Sequence, residues 1–333
     1  MSSFNRSGVQ AAALPYEGRL PGFGAATGWL NSAPLIGQEL RGRVVLVDFW
    51  TYTCVNWLRT LNYLRAWSEK YADGLVVVGV HTPEFPFEHD VDNVRAAADD
   101  LNVSYPIAVD NAYGVWDAFA NNYWPAVYLA DSDGHIRHHQ FGEGGYDECE
   151  RVIQQLLRDA GGDPPDDLVT VHDAGFQVQA DWANLETPET YVGYDQRRNF
   201  ASPGGAKLEQ PRTYETPDSL ELNEWALNGA WTVGRRAAVL DAAGGSITFR
   251  FHARDVNLVM GPSLRDAPVT FRVRLDGEAP GDAHGFDIDP DGRGSAAQQR
   301  LYQLIRKSGS IEDSTVEISF ADAGVETYAF TFG

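Results

Sequence analysis

The feature that most constrains the fold is a change in hydrophobic periodicity at residues 161–167, a stretch made of Gly, Pro and Asp. Before this stretch, short β-branched runs alternate with segments of helical spacing, whereas after it nearly all apolar residues follow the two-residue period of strands. The 333 residues are enough for two hydrophobic cores. The sequence therefore predicts a lead-in with a hairpin at 1–33, an α/β domain at 34–160, a linker at 161–175 and an all-β sandwich domain at 176–333.

Strands and helices alternate in the first of these domains. The apolar run 44–49 is typical of a buried parallel strand, and the apolar residues from 55 to 67 have the spacing of a helix. The other predicted elements are a strand at 75–80, a helix at 91–101 capped by Asp90, a strand at 105–109, a helix at 112–120, a hairpin at 126–141 and a helix at 146–157. This order predicts a mixed sheet covered by helices on both faces.

The second domain contains alternating apolar runs separated by Gly, Pro and Asp clusters. The clearest runs are 246–252, 256–260, 270–275, 315–320 and 327–332. Their spacing predicts an antiparallel β-sandwich. In this domain only residues 296–307 have helical spacing, and we expect a helix there.

The charge and hydropathy of the chain limit its partners and its compartment. Lys and Arg number 26 against 47 Asp and Glu, and the net charge of −21 argues against nucleic acid and anionic lipid as partners. No stretch approaches the roughly 20 apolar residues of a membrane span. Because the first residues contain no apolar segment of signal-peptide length, we expect a cytoplasmic protein as written, or an extracytoplasmic one if a leader has been removed.

The two cysteines, Cys54 and Cys149, are too few for a disulfide scaffold. Cys54 directly follows a predicted buried strand and begins a predicted helix, where free N–H groups and the helix dipole favour the thiolate. This position predicts a reactive thiol, with an inert relic as the alternative. Cys149 has acidic neighbours that raise a thiol's pKa, so we expect a helix-face residue there and no disulfide with Cys54.

The residues around Cys54 resemble a known family. Residues 45–54, VLVDFWTYTC, resemble the strand and active-site approach of thioredoxins, and residues 58–61 and 81–85 extend the likeness to the soluble part of DipZ-type membrane thiol–disulfide proteins. Pro125 stands where such folds carry a cis-proline loop. The resemblance implies a thioredoxin-like α/β fold and thiol–disulfide oxidoreductase activity, with Cys54 as nucleophile, Asp48 as a buried acid that tunes it, and Pro125 as the docking position for a substrate strand.

One departure from the family pattern changes the expected chemistry. The family places a second cysteine three residues after the first, and here that residue is Trp57. Without it, Cys54 can attack a disulfide but has no neighbouring thiol to resolve the mixed disulfide. We therefore expect protein or low-molecular-weight thiols and disulfides as partners, with an external thiol as the resolving group.

Two alternatives to a single-cysteine oxidoreductase stay open. The first is a non-catalytic binding or scaffold protein with a degenerate redox site. The second is a thiol peroxidase, because Thr51 and Cys54 form the T-x-x-C part of a peroxiredoxin signature. In that signature a proline stands four residues before the threonine, where this chain has Val47.

The second domain also resembles part of DipZ-type proteins, through residues 191–194, 199–200, 225–231 and 328–333. These match the C-terminal module, which resembles a carbohydrate-binding β-jelly roll. The resemblance implies a jelly-roll-like sandwich that either binds a carbohydrate or determines which partner reaches Cys54. Trp182, Trp225 and Trp231 are candidates for stacking on a sugar, although aromatic residues in alternating strands also form cores.

Two patterns suggest metal ligands, and we expect neither to bind a metal. His135, His138 and His139 lie on a predicted strand with no second ligand motif. The series Asp287, Asp289 and Asp291 begins like an EF-hand loop, but Gln298 occupies the position of the bidentate glutamate and no helix precedes it. We interpret the first as solvated strand histidines and the second as an acidic loop, and we expect no cofactor.

Overall fold

A computed structural model describes residues 13–35, 37, 39–172, 175–264 and 267–333, without the side chain of Phe176. Residues 1–12 of the predicted lead-in and 173–174 of the predicted linker lie outside the described residues. The chain divides into two compact units, and we refer to them as the first and the second unit. Residues 1–50, 63–82 and 102–170 form the first, and residues 51–62, 83–101 and 171–333 form the second.

This division interleaves the units along the sequence. Two short segments from the N-terminal half, 51–62 and 83–101, group with the residues that follow the predicted linker. Cys54 therefore belongs to the second unit. The predicted domain limits at residues 160 and 176 stay a prediction.

The first unit contains a seven-stranded mixed sheet in the order β1–β7–β6–β3–β4–β5–β2. Its strands are β1 (Gly18–Arg19), β2 (Gly28–Leu30), β3 (Val44–Trp50), β4 (Leu75–His81), β5 (Ile107–Val109), β6 (Ala126–Ala130) and β7 (His135–Phe141). The three strands β3, β4 and β5 are parallel, and the other pairings are antiparallel. Every residue of β3 is buried, as its continuous apolar run predicts.

Within the part of the chain that the structure describes, four α-helices accompany the strands. They are α1 (Val55–Lys70), α2 (Val91–Asp100), α3 (Gly114–Ala118) and α4 (Tyr146–Asp159), and short 3₁₀ helices occur at Pro86–His89, Gly175–Gln177 and Gly281–Ala283. The prediction that Asp90 caps α2 is confirmed, since its carboxylate accepts the backbone N–H of Asp92 at 3.0 Å. The element order and the mixed sheet are those of a thioredoxin-like fold.

A buried glutamate on α4 holds the chain that leaves this helix. Glu150 is 1% exposed, and its carboxylate accepts hydrogen bonds from Trp67 Nε1 at 3.0 Å and Tyr71 Oη at 2.6 Å. It also pairs with Lys70 Nζ at 3.0 Å and accepts the backbone N–H of Val169 at 2.9 Å. These contacts connect Val169 to α1 and α4 within the first unit.

The second unit contains an antiparallel sheet in the order β15–β14–β17–β12–β10–β11–β18–β13–β16, with β8 paired to β18 and β9 to β10. Its strands are β8 (Thr190–Tyr191), β9 (Arg212–Tyr214), β10 (Trp225–Val233), β11 (Ala238–Leu240), β12 (Ser246–Phe251), β13 (Asp255–Pro262), β14 (Val269–Leu275), β15 (Arg293–Ala296), β16 (Arg300–Arg306), β17 (Ser314–Phe320) and β18 (Val325–Phe332). All five of the predicted alternating runs are strands.

The sheet curls because β10 passes from one half of it to the other. Residues 225–228 pair with β12, and residues 231–233 pair with β11. Gly229 lies between them with φ of +92°, and a Cβ on it would come within 2.8 Å of the Gly245 Cα. Aromatic residues of the two halves meet in one core, where the Phe249 and Phe330 ring centroids are 5.1 Å apart.

The predicted helix at 296–307 is wrong, because these residues form the end of β15 and all of β16. The apolar residues Leu301, Leu304 and Ile305 have helical spacing, yet each is buried in a strand. Five consecutive residues of β16 are buried, and periodicity alone does not distinguish such a strand from a buried helix.

The sequence predicts no membrane-spanning segment, and the helices of the structure can be compared with that prediction. Across the residues that the structure describes, no helix has the length and apolar character needed to cross a membrane.

Candidate functional site

Cys54 occupies the turn between β3 and α1. Its backbone N–H donates to the Thr51 carbonyl at 3.2 Å, and its own carbonyl accepts the N–H of Leu58 at 3.0 Å, the first hydrogen bond of the helix. Cys54 is thus the N-cap residue of α1, and the backbone N–H groups of Asn56 and Trp57 donate hydrogen bonds to its sulfur. The side chain is half-buried, and the thiol is free.

The electrostatic environment of Cys54 differs from the one expected at a helix start. Burial raises the pKa of its thiol well above the usual range, and the negative charges of Glu84 and Glu189 raise it further. The two backbone N–H groups act in the opposite direction but do not offset these effects. Cys54 therefore keeps its proton at neutral pH, because the loss of hydration and two nearby carboxylates outweigh the helix terminus.

The two carboxyl groups near this thiol also have altered acidity. Burial, followed by repulsion from Glu189 and Glu88, raises the pKa of Glu84 well above its usual range, and the Tyr191 hydroxyl donates a hydrogen bond to Glu84 Oε1. Desolvation by the surrounding protein raises the pKa of Glu189 to about 7, although the residue is exposed. A proton-bearing thiol thus lies in the field of a carboxyl group that titrates near neutral pH.

Glu88 fixes the position of the two segments that meet at the site. Its carboxylate accepts the Thr53 hydroxyl at 2.6 Å, and it accepts the backbone N–H groups of Glu84 at 2.7 Å and Phe85 at 2.8 Å. The side chain is fully buried, and burial raises its pKa. Glu88 therefore connects the turn before Cys54 with the turn that carries Glu84.

Aromatic residues from β8 and β18 pack against the segment that carries Glu84. The Tyr328 ring centroid lies 5.2 Å from that of Phe85 and 4.9 Å from that of Phe87, and Tyr191 lies 6.3 Å from Phe85. The Tyr52 ring, two residues before Cys54, lies 6.1 Å from Phe87. The C-terminal strands thus form one wall of the cysteine site within the second unit.

Comparison with known proteins finds relatives of both the N-terminal and the C-terminal part of the chain. A family described as "Thioredoxin like C-terminal domain" matches residues 187–333. Protein DipZ of Mycobacterium tuberculosis is 40% identical over 258 residues, which cover 75% of this chain and 36% of DipZ, so the chain spans about a third of that relative's length. Thiol-disulfide oxidoreductase YkuV of Bacillus subtilis is 31% identical over 129 residues, covering 39% of this chain and 87% of YkuV.

The chain belongs to the thioredoxin-like family. Its resemblance to DipZ-type thiol–disulfide proteins, which the motifs around Cys54 predict, is confirmed. Among solved structures, the solution structure of a thioredoxin-like protein in the oxidized form is similar, with 29% identity, 44% of this chain and 97% of the other covered, and a TM-score of 0.39.

The other residues predicted for the site of this thioredoxin-like chain are Trp57, Asp48 and Pro125, and each lies in a different environment. Trp57 is fully buried on α1, in the second unit. Asp48 is fully buried on β3 in the first unit, where its charge adds to burial in raising the pKa of Tyr105. Pro125 follows a cis peptide bond, and its carbonyl accepts the N–H of Gly142 at 2.9 Å. In the register of β3 and β6, Val127 lies opposite Asp48. Pro125, which precedes β6, therefore lies near the carboxyl end of β3 in the first unit's sheet.

The second cysteine is inaccessible in this thioredoxin-like protein. Cys149 is 2% exposed on α4, and its sulfur lies 3.6 Å from His138 Nε2. Burial, followed by the charge of Glu148, raises the pKa of Cys149 to about 12. His138 is therefore not a solvated strand histidine, since it packs against a thiol, and burial lowers its pKa.

One of the three histidines singled out in the sequence, His135, belongs to a cluster of potential metal-ligating side chains. Within the described ranges, Asp131, Asp133 and His135 form the single group whose ligating atoms lie within 4.8 Å of one another. Asp131 already pairs with Arg137 at 3.0 Å and accepts the backbone N–H groups of Asp133 and His135 at 3.1 and 2.9 Å. These are the contacts of a hairpin turn. His139 instead contacts Glu17, with its Nδ1 2.7 Å from Oε2.

The acidic series before β15 also consists of separately paired side chains. Asp287 pairs with Arg300 at 2.7 Å, and Asp291 pairs with Arg293 at 3.2 Å. Asp289 accepts the backbone N–H of Arg293 at 2.8 Å.

The predicted sugar-stacking residues do not form a common surface. Trp225 and Trp231 are fully buried, and their indole N–H groups donate to the carbonyls of Arg198 and Asn228, both at 2.8 Å. The prediction that these two rings stack on a ligand is wrong, because neither exposes a face. Trp182 is 55% exposed, and it alone of the three presents its ring to solvent.

The sequence indicated part of this site and missed the rest. Glu84 lies within the resemblance at 81–85, but no role was predicted for it. Glu88 follows Phe85 by three residues, the spacing of a capping box, and this signal was available. Glu189 carried no signal, and Tyr191 lies within the resemblance at 191–194 without a predicted role at the cysteine. Only the pairing of β8 with β18 brings the two residues to the cysteine segment.

Proposed function

We propose that this protein is a thiol–disulfide oxidoreductase that acts through a single thiol, that of Cys54, with an external thiol as the resolving group. One observation carries the proposal: a half-buried thiol lies at the N-terminus of α1, in the field of the Glu84 and Glu189 carboxyl groups. The family membership supports the class of reaction, and YkuV is itself named as a thiol-disulfide oxidoreductase.

The first step uses the carboxyl group of Glu189 as a base. With a pKa of about 7, this group is partly ionised at neutral pH and accepts the proton of Cys54 as the sulfur attacks. A bond forms between Cys54 Sγ and one sulfur of the partner's disulfide, and the bond between the partner's two sulfurs breaks. The departing thiolate takes the proton back from Glu189, so the step consumes no further reagent.

The second step releases the partner. A second thiol, from a protein or a small molecule, attacks the mixed disulfide and displaces Cys54 as a thiol. Trp57 occupies the position where a resolving cysteine would stand, so the resolving thiol comes from outside this site. The protein is thereby a disulfide-exchange catalyst with an incomplete CxxC motif.

The remaining predicted roles belong to the same proposal. We infer that Asp48 is a buried acid that tunes exchange and that Pro125 is the docking position for a substrate strand, as the family resemblance implies. We also infer that residues 176–333 form a jelly-roll-like accessory module. Its contribution to the reaction is the placement of Glu189 and Tyr191 beside the cysteine segment.

A second candidate function is a non-catalytic binding protein, and one observation favours it. Burial keeps the Cys54 thiol protonated, which lowers its reactivity. The same observation counts against a thiol peroxidase, because peroxide oxidation requires a thiolate.

Mixed-disulfide formation distinguishes these functions. The Cys149→Ser variant is incubated with oxidised glutathione from about pH 6 to about pH 9, and intact mass reports adducts. The proposal predicts one glutathione per chain, removed by free thiol, and none on the Cys54→Ser variant. Absence of the adduct over this range would contradict the exchange reaction and leave the binding protein as the candidate function.

A further inference from the structure

A cavity of about 550 Å³ lies between α2 and the segment that leads into β16. The α2 wall includes Asp92, Ala96 and Asp100, and the opposite wall includes Phe286 and residues 297–301. Every lining residue belongs to the second unit. The volume falls within the range of about 300–1,000 Å³ that is usual for ligand-binding pockets.

The cavity reaches the turn that carries the cysteine. Tyr52 and Leu58 are both lining residues, and they lie on either side of Cys54 in the sequence. The Leu58 N–H donates to the Cys54 carbonyl at 3.0 Å, so the two residues are one helical turn apart, about 6 Å along the axis of α1. A chain bound in the cavity would therefore lie close to the thiol.

The middle of the cavity is apolar. Ala96 and Ala97 are small side chains on one wall, and they leave space above the α2 backbone. Phe286 also lines the cavity, and 72% of its surface is exposed, which is unusual for a large aromatic residue. These residues offer a surface to an apolar side chain.

The charge in the cavity is negative. Its lining contains three carboxylates, those of Asp92, Asp100 and Asp287, and one guanidinium, that of Arg300. Arg300 already donates to Asp287 at 2.7 Å and to the Leu301 carbonyl at 2.7 Å, so its charge is compensated. The exposed carboxylates of Asp92 and Asp100 remain, eight residues apart on α2 and hence separated by about 12 Å along its axis.

We propose that this cavity binds a basic polypeptide segment in an extended conformation. Two Lys or Arg side chains pair with Asp92 and Asp100, and an apolar side chain between them packs on Ala96, Ala97 and Phe286. Side chains four residues apart in an extended chain are about 13 Å apart, which matches the spacing of the two carboxylates. The net charge of −21 attracts such a segment over a longer range. The proposal names the partner class for the thiol exchange inferred above and rests on that function, although binding itself does not require it.

A peptide with this pattern tests the proposal directly. The probe is a fluorescent acetyl-Lys-Ser-Leu-Ser-Lys-amide, and its affinity for the full-length Cys54→Ser variant is measured by anisotropy. We expect saturable binding at low salt that weakens as salt rises, because exposed charge pairs are screened. The matched peptide with Glu in place of both Lys is expected not to bind, and equal binding of the two peptides would overturn the proposal.

Variants locate the binding site. Asp92→Asn and Asp100→Asn should each weaken binding of the Lys peptide roughly threefold to fivefold. Ala96→Trp should abolish it by filling the cavity, whereas Asp99→Asn, on the same helix but outside the lining, should leave it unchanged. Wild-type affinity in both Asn variants or in the Trp variant contradicts the proposal. Displacement of the peptide by a neutral oligosaccharide such as cellohexaose would show a carbohydrate site instead.

The outcome separates this proposal from the proposed function. Adduct formation with oxidised glutathione at Cys54 depends on the thiol and not on the cavity. If the Lys peptide binds but no glutathione adduct forms, the exchange reaction is wrong and the cavity assignment stands. If the adduct forms but the peptide does not bind, only the cavity assignment is wrong.

Discussion

At the scale of single residues, burial raises the pKa of the Cys54 thiol most, and two acids from distant parts of the chain raise it further. Glu84 follows β4 by three residues and Glu189 directly precedes β8, and both act on the thiol through their charge. A thiol with a raised pKa reacts slowly unless a base removes its proton. Glu189 has the acidity suited to that role, since its pKa is about 7.

Replacing Glu189 with Gln should therefore change reactivity in two ways. Removing the negative charge lowers the pKa of Cys54, but removing the base slows mixed-disulfide formation at pH 7, by at least about tenfold. Both effects are measured by quenching the reaction with oxidised glutathione at a series of times and determining the rate of adduct formation at each pH. Glu186→Gln, an exposed neighbour, is the matched control and should behave as wild type. An unchanged pH profile in Glu189→Gln would show that Glu189 is only structural.

Trp57→Cys should restore the dithiol motif at a cost in stability. Trp57 is fully buried, so the smaller side chain leaves a cavity and lowers the free energy of unfolding by about 3 kcal/mol. The new thiol, one helical turn from Cys54, should release bound partner without an external thiol. An insulin-reduction assay and a urea titration measure the two effects, with Trp57→Ala as the control for lost volume. Persistence of the glutathione adduct in Trp57→Cys would contradict the expected resolving role.

The position of a single residue in the fold could be predicted only where the sequence signal comes from its neighbours in the chain. The positions of Cys54 and Trp57 follow from the chain itself, because a strand, a turn and a helix start are adjacent in sequence. The raised pKa of Cys54 could not be predicted, since its main cause is burial in the folded chain, and Glu189, which adds to it, comes close only through strand pairing. Burial of Trp225 and Trp231 likewise depends on the curl of the sheet.

At the scale of elements, Glu150 on α4 is expected to attach Val169 and the side chains of Trp67, Lys70 and Tyr71 to this helix. Glu150→Ala removes the acceptor for Trp67, Tyr71 and the Val169 N–H, and should lower the free energy of unfolding by about 3 kcal/mol at pH 7. Urea titration measures this, and Glu148→Gln, exposed on the same helix, should have almost no effect. A loss below about 1 kcal/mol would show that water replaces these contacts.

The same glutamate should make stability depend on pH. Burial raises the pKa of Glu150, but the hydrogen bonds from Tyr71, Val169 and Lys70 more than offset it, and the pKa in the folded state is lowered. Its stabilising effect is therefore complete above the unfolded value of about 4.3 and is lost as pH falls through the lower folded value. The difference between wild type and Glu150→Gln should shrink in acid, and a constant difference from pH 7 down to about pH 3 would contradict this.

Elements were predictable where hydrophobic pattern and burial agree. The run 44–49 is buried on both faces and short, and its prediction as the central strand is confirmed by β3. The prediction of a helix at 296–307 is wrong because Leu301, Leu304 and Ile305 have helical spacing inside a strand that is buried over five residues. The turn at Gly229, which lets β10 join both halves of the sheet, requires a positive φ that the sequence alone did not reveal.

At the scale of the whole molecule, residues from both halves of the sequence build the second unit. The segment 83–101 packs on aromatic residues of the C-terminal strands, above all on Tyr328, which is 3% exposed. Periodicity predicted a change of architecture near residue 161, but it could not predict this interleaving. Contacts between residues so far apart in sequence leave no periodic pattern.

Tyr328→Ala should therefore loosen the segment that carries Glu84. The loss of its ring contacts with Phe85 and Phe87 should speed amide hydrogen exchange at residues 83–101 and lower the free energy of unfolding by about 3 kcal/mol. Hydrogen exchange with mass spectrometry measures the local effect. Trp182→Ala, which removes an exposed ring, is the control. Unchanged exchange at 83–101 in Tyr328→Ala would show that the C-terminal strands do not hold this segment.

The most direct test of the central claim is the pKa of the Cys54 thiol, measured by the pH dependence of iodoacetamide alkylation in the Cys149→Ser variant. A half-buried thiol in the field of two carboxyl groups should alkylate with a midpoint above the reference value of about 8.5. Glu84→Gln should move that midpoint downward, because it removes one of the two charges. A midpoint at or below about 8.5 in the parent variant would mean that the helix N-terminus dominates, and the account of a proton-bearing thiol assisted by Glu189 would be wrong.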